Sequence, residues 1–191
     1  MGDFMKKRNA KEDFITAFWQ LYQNKRIEKI SICELCKLAG YNRTTFYVYY
    51  KDIFDLLDKF IEDLIYTVLE NFKDIKDIKD IKEIDLINNI FFSMFEKNSI
   101  YIYTIFKNNH HYILEEKITK YLFNIMKENF EVDEGNDLLF AYLVRYQVSA
   151  ICGLLKFWYE QNDDKLSKEE LANLLFEISS RGIINIIQNK A

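Results

Sequence analysis

No proline occurs anywhere in the 191 residues, and glycine occurs only five times. Both scarcities press the same way. Tight turns lean on Gly and Pro, so a β-rich chain of this length would need many more of them. Proline also breaks helix interiors, and here nothing interrupts a helical run in that way. The chain is therefore expected to be all-α, with long helices and short connections. Hydrophobic residues make up 49% of it, including 16 Phe and 13 Tyr, which is ample material for a core with large aromatic surfaces.

Periodicity locates the helices. Phe14, Phe18, Leu21 and Tyr22 fall on one face of a helix over about 9–23. Asn24–Lys29 is polar and reads as a connection. Ser31, with Glu34 three residues on, has capping-box spacing, and Ile32, Leu35 and Leu38 follow as an apolar stripe. Gly40 suits the left-handed residue that ends such a helix. Asn42 is a good N-cap for a third helix, from Arg43 to about Tyr49. Two short helices separated by a tight turn containing Gly are the signature of a helix-turn-helix. A fourth, long helix is expected over about 52–72. Beyond it the periodicity places helices over about 85–97, 99–107, 110–130, 136–161 and 167–189, the last with Ser167 and Glu170 at capping-box spacing. Between them Lys-Asp-Ile occurs three times from Lys73 to Ile81, a three-residue period that drifts around a helix and reads as a solvated extension or linker.

Charge is divided along the chain. Residues 1–55 hold 10 Lys and Arg against 7 Asp and Glu, and the remainder holds 16 against 23. A mildly basic N-terminal quarter on an acidic body fits a small nucleic-acid module carried by a larger domain that does not bind nucleic acid.

The residues of the turn and third helix carry a resemblance. From Leu35 the sequence reads Leu-Cys-Lys-Leu-Ala-Gly-Tyr-Asn-Arg-Thr-Thr-Phe-Tyr-Val-Tyr-Tyr, ending at Tyr50. A helix ending in Ala-Gly, then an apolar residue, a capping residue and a Thr-Phe-Tyr recognition helix with later aromatics resembles the DNA-binding domain of the TetR/AcrR family. The close match runs from Ile15 to Leu57. It departs from the family at three places: Arg26 stands near the usual Gly after helix one, Cys36 replaces a packing Ala, and Ile53 replaces a phosphate-contacting Lys, with Lys51 two residues away.

The resemblance implies an all-α fold of about nine helices. A three-helix helix-turn-helix DNA-binding domain would occupy 1–52, and a helical effector-binding and dimerisation domain 53–191. The expected function is a transcriptional regulator, a repressor that binds a palindromic operator in double-stranded DNA as a homodimer and is released by a small-molecule effector. Control by a protein partner, or action as an activator, is the alternative. Arg43 can bond a guanine edge or phosphate, Thr44 and Thr45 bases or phosphates, Tyr47 and Tyr49 phosphates, and Lys51 the backbone. Free N–H groups at the start of the second helix, beside Ser31, and of the fourth are further phosphate ligands. Phe46 and Tyr50 are expected to face the module's core with Leu35 and Phe18.

For the effector cavity the candidates are Phe91, Phe95, Tyr103, Phe106, Tyr121, Tyr142, Arg145 and Tyr146. Arg145 lies in an apolar run, so it either holds an anionic ligand or pairs with an internal carboxylate. The expected dimer interface is the last two helices, through Ser149, Gly153, Leu171, Leu174, Leu175, Ile178 and Gly182.

Other chemistry finds little support. Cys33 and Cys36 form C-x-x-C on a helix, without the further ligands a zinc site needs, and Cys152 is remote. His110 and His111 are adjacent and diverge on a helix. No nucleophile motif, Gly-rich phosphate loop or His-Glu zinc pattern is present, so neither enzyme activity, nor a cofactor, nor a metal is expected. Met1–Lys11 lacks the apolar segment of a secretory leader, no run approaches a membrane span of ~18 apolar residues, and three cysteines do not make a disulfide framework. A cytoplasmic location is expected.

Overall fold

The structure, a computed structural model, describes residues 9–69, 97–129, 137–161 and 165–179. Among the described residues there are eight α-helices and one 3-10 turn, and no strand. The fold class expected from the missing proline is the one observed. The Lys-Asp-Ile repeat, the expected helix over 85–97 up to residue 96, and Phe91, Phe95 and Gly182 lie outside the described residues.

The chain divides into two compact units, Met1–Asp63 and Leu64–Ala191. In the first, α1 spans Ala10–Tyr22, α2 Ile32–Ala39, α3 Arg43–Tyr49, and α4 Ile53–Leu69, which runs on across the division. Each start is made by a short polar side chain. The Asn9 carboxamide oxygen accepts from the Lys11 N–H at 3.2 Å, and Glu12 and Asp13 complement the positive end of α1. Ser31 accepts from the Glu34 N–H at 3.1 Å, Asn42 from the Thr45 N–H at 2.8 Å, and Asp52 from the Asp55 N–H at 2.8 Å. The capping box at Ser31 closes on one side only, because the Glu34 carboxylate is taken by Lys25.

The stop of α2 is Gly40. Its φ of 76° lies in the left-handed region, and both it and Tyr41 donate backbone N–H groups to the Cys36 carbonyl. The polar connection after α1 holds a 3-10 turn, Ile27–Lys29, with Ile27 buried. At Arg26, where the family usually has Gly, φ is −65° and ψ 143°, a conformation any residue adopts.

Phe14, Phe18 and Tyr22 on α1, Leu35 on α2, Phe46 on α3, and Leu56, Leu57 and Ile61 on α4 are fully buried. Phe14 is the centre of this core. Its ring meets Phe46 edge-on at 5.4 Å and Tyr50 at 6.4 Å, and tilts against Tyr41 at 5.3 Å. The Tyr41 hydroxyl in turn donates to the Asp13 carboxylate at 2.8 Å. The first half of α4 belongs to this unit because Leu56, Leu57 and Ile61 complete its core and Trp19 packs on Phe60 at 4.8 Å.

In the second unit, α5 spans Ser99–Lys107, α6 His111–Asn129, α7 Asp137–Glu160 and α8 Lys168–Ser179. A turn through Asn109, at φ 61°, joins α5 to α6. One face of α7 packs on both α5 and α6 and buries Val144, Val148, Cys152 and Leu155. Ser167 and Glu170 make a complete capping box at the head of α8, each backbone N–H bonded to the other's side chain at 2.8 and 3.2 Å. The approach to α8 is pinned by Trp158, whose indole N–H donates to the Leu166 carbonyl at 2.6 Å, with the Lys165 ammonium 4.2 Å from its ring centre. By length and composition α7 is apolar enough to cross a membrane, which was not expected. It packs on α5 and α6 along one face, and its Arg145 is paired with Glu115 on α6.

If Phe14 is the residue that joins α1 to α3, Phe14→Ala should lower unfolding free energy by about 3–5 kcal/mol in chemical denaturation. A loss under about 1 kcal/mol would mean that the core of the first unit is organised elsewhere.

Candidate nucleic-acid interface

The surface of α3 away from the core is open to solvent. It presents Arg43, Thr44, Tyr47 and Val48, two adjacent rows of i, i+4 pairs. Arg43 is already ordered there. One guanidinium nitrogen donates to the Tyr47 hydroxyl at 3.2 Å, and the guanidinium carbon lies 5.9 Å from that ring's centre. Arg carries five N–H donors in a planar fork, so the tyrosine uses part of its capacity and leaves the rest exposed.

The other residues singled out in this unit differ in how free they are. Thr44 is exposed. The Thr45 hydroxyl donates to Asn42 Oδ1 at 3.0 Å, so it is engaged in the cap of α3. Tyr49 is exposed at the rim, with its ring 6.5 Å from Phe14. The Ser31 hydroxyl, exposed at the head of α2, accepts from Glu34. Phe46 and Tyr50 face the core as expected, and burial pushes the Tyr50 hydroxyl up to about 12, with Asp63 and Asp55 adding to the effect. Ile53, at the family's lysine position, is buried and supplies no cation; Lys51 is exposed.

Lys51 sits on a fixed junction. Its backbone N–H donates to the Asp55 carboxylate at 2.8 Å, and Lys59 bridges that carboxylate at 3.0 Å to the Tyr49 carbonyl at 2.9 Å. Burial raises the Asp55 pKa, but the Lys51 N–H and the Lys59 ammonium outweigh it and hold the carboxyl below its ordinary value. The turn from α3 to α4 is thus held by one carboxylate and one ammonium.

In the second unit the candidate cavity residues separate. Phe106 is buried, stacked on His111 at 5.3 Å and 5.5 Å from Tyr159. Tyr121 is half-buried, edge-on to Tyr66 at 6.1 Å, and its buried hydroxyl has no hydrogen-bond partner among the described residues. Tyr103 is at the surface, 5.5 Å from Tyr159. Tyr142 and Tyr146 are 68% and 67% exposed among the described residues. Arg145 pairs with an internal carboxylate, Glu115 Oε1, at 3.5 Å, and Ser149 donates to the same oxygen at 2.6 Å. Nothing in the sequence marked Glu115, which stands in a polar stretch without a visible motif. In the sequence His111 stands only as one of two adjacent, diverging histidines. Its Nδ1 is buried without a partner among the described residues, and burial together with Lys156 lowers its pKa.

The interface candidates also divide. Leu171 and Leu175 are buried within the unit, whereas Leu174, Ile178 and Gly153 are exposed, and a Cβ added at Gly153 would meet nothing within 4 Å. Sequence reasoning missed Leu138 and Phe157, which with Tyr142, Tyr146 and Gly153 form an exposed stripe along α7.

Cys33 and Cys36 are neighbours three residues apart on α2, the first exposed and the second buried. Burial raises the Cys36 thiol, with Cys33 adding to the effect, and pushes Cys152 up to about 12. At pH 8 a thiol reagent should therefore label Cys33 in the folded protein and reach Cys36 and Cys152 only on unfolding, as read by mass spectrometry of peptides. Equal labelling of Cys36 in the native state would contradict the packing of α2.

The comparisons agree with this architecture. The family model for the transcriptional regulator C-terminal region of the TetR type matches residues 84–181, just over half of the chain. The fold is similar to that of a TetR transcriptional regulator from Streptococcus agalactiae 2603V, with a TM-score of 0.59, 23% identity, and coverage of 88% of this chain and 92% of that one. It is similar also to a TetR-family transcriptional regulator from Syntrophomonas wolfei str. Goettingen, with a TM-score of 0.63, 17% identity, and coverage of 91% and 96%. No curated protein matches the chain in sequence. Helix-turn-helix unit, helical C-terminal unit and family match converge, and the chain belongs to the TetR family of transcriptional regulators.

Proposed function

We propose that this regulator binds a palindromic operator in double-stranded DNA as a homodimer, with the outer face of α3 in the major groove, and that it represses until a small-molecule effector releases it. The observation that carries the reading is the Arg43–Tyr47 pair, a guanidinium held in position on an exposed helix face. A base edge recognised by Arg demands a bidentate geometry, and ordering the side chain beforehand lowers the entropy lost on binding. Thr44 lies beside this pair. Tyr49, Lys51 and the N–H groups at the head of α2 near Ser31 flank it and supply phosphate contacts. Thr45 contributes through its methyl and through the cap it completes.

One such unit contacts too little DNA for tight binding. Two related by a two-fold axis read half-sites about 34–36 Å apart, one helical turn of DNA. The exposed stripe on α7, with Leu174 and Ile178 on α8, supports a second copy of this chain as the partner. Tyr142 and Tyr146 therefore belong to the dimer face, together with Gly153, where the absence of a side chain lets helices approach. Leu171 and Leu175 support that face from beneath.

For the effector, the support is the aromatic group of Phe106, His111 and Tyr159, and, separately, Tyr121 with its buried hydroxyl about 15 Å further along α6. Burial lowers the pKa of His111 and so favours the neutral ring, whose buried nitrogen can hydrogen-bond a ligand. Arg145 acts as a structural cation on Glu115. Helix α4 belongs in part to each unit and is the covalent path along which effector binding changes the spacing of the two α3 helices. Release requires that the effector bind the two states unequally.

Fluorescence anisotropy against the DNA upstream of the protein's own gene tests this. Binding should be sequence-dependent, saturate at two protomers or a multiple per site, and weaken steeply and log-linearly with salt. Arg43→Ala should cost about 1–3 kcal/mol on the preferred sequence. Sequence-independent binding that Arg43→Ala leaves unchanged would overturn the assignment of α3.

A further inference from the structure

One side chain on the outer face of α3 belongs neither to the core nor to the Arg43–Tyr47 pair. Val48 is 74% exposed, the most exposed large apolar side chain among the described residues. Nothing in the first unit rewards it. It is absent from the core, and its β-branch lowers helix propensity in a helix of seven residues. A solitary exposed apolar residue ordinarily carries no meaning. The position of Val48 is what distinguishes it. It lies one turn beyond Thr44 on the same face, beside the row formed by Arg43 and Tyr47.

The two rows differ in chemistry. Arg43 and Tyr47 offer hydrogen-bond donors. Thr44 and Val48 offer three methyl groups and a single hydroxyl. In the major groove, guanine, adenine and cytosine present polar edges, and only thymine presents an apolar group, its C5 methyl. An isopropyl group placed against a polar edge removes water and returns no hydrogen bond. Against the thymine methyl, both partners lose apolar surface to water and neither loses a bond.

Resting on the DNA-binding reading of α3 above, we infer that Val48, with the Thr44 methyl, reads the C5 methyl of a thymine in each half-site, next to the base pair met by Arg43. The residue thereby selects sequence rather than adding general affinity, because it carries no charge to attract phosphate.

The test begins with selection from random double-stranded DNA by the full-length protein. If nothing is enriched, the DNA-binding reading itself fails and the inference falls with it. With a selected site in hand, each thymine of a half-site and its symmetry mate is replaced by deoxyuridine, which removes only the methyl group. Loss of that contact should weaken wild-type binding at one thymine position by about four-fold per half-site. Val48→Ala should bind the thymine and uracil versions of that position equally and respond to every other substitution as the wild type does. Its melting temperature should match the wild type, as the side chain is solvent-exposed. Uracil tolerated at every position, or an unchanged thymine-to-uracil ratio in Val48→Ala, would overturn the inference while leaving the DNA-binding reading standing.

Discussion

Everything on the outer face of α3 depends on the edge-to-face contact between Phe14 and Phe46 on its inner face, 5.4 Å between ring centres. A helix of seven residues is far shorter than the ~12–15 residues at which isolated helices become even marginal. Its geometry is therefore borrowed from its neighbours. Phe46 and Tyr50 close on Phe14, Asn42 fixes the start, and Asp55 with Lys59 fixes the exit. The outer side chains inherit that rigidity, and so a guanidinium lying on Tyr47 becomes a defined group and not a floppy one.

The departures from the family's usual residues find physical explanations in the same unit. The position that usually carries Gly after the first helix adopts a φ of −65°, for which Arg26 is as good as glycine. Cys36 fills the place of a small packing residue and is buried. Ile53 is buried in the core, while Lys51, two residues earlier, is exposed and its backbone is anchored by Asp55.

How much of this was readable beforehand divides by physical range. Local signals read well. The caps at Ser31, Asn42 and Ser167 and the left-handed stop at Gly40 depend on a few adjacent residues, and each stands where the spacing put it. Helix α5 occupies its expected residues, Ser99–Lys107. Contacts between helices read poorly. Tyr142 and Tyr146 look like cavity residues in an apolar run, yet period alone does not say which side of a helix meets its neighbours. The partner of Arg145 is 30 residues away on another helix, in a stretch with no motif. Val48 carries no signal in the sequence, because its exposure is supplied only by the fold. In the second unit, Val144, Val148, Cys152 and Leu155 turn inward and the aromatic stripe turns outward, so one helix serves both the unit's own core and a candidate surface for a second copy.

Hydrogen–deuterium exchange of the full chain, free and bound to its selected operator, tests most directly whether the outer face of α3 meets DNA. The account predicts slowed exchange on binding over residues 43–49 and at the head of α2, and no slowing in the turn between α5 and α6. Unchanged exchange across α3, with protection appearing elsewhere, would contradict it.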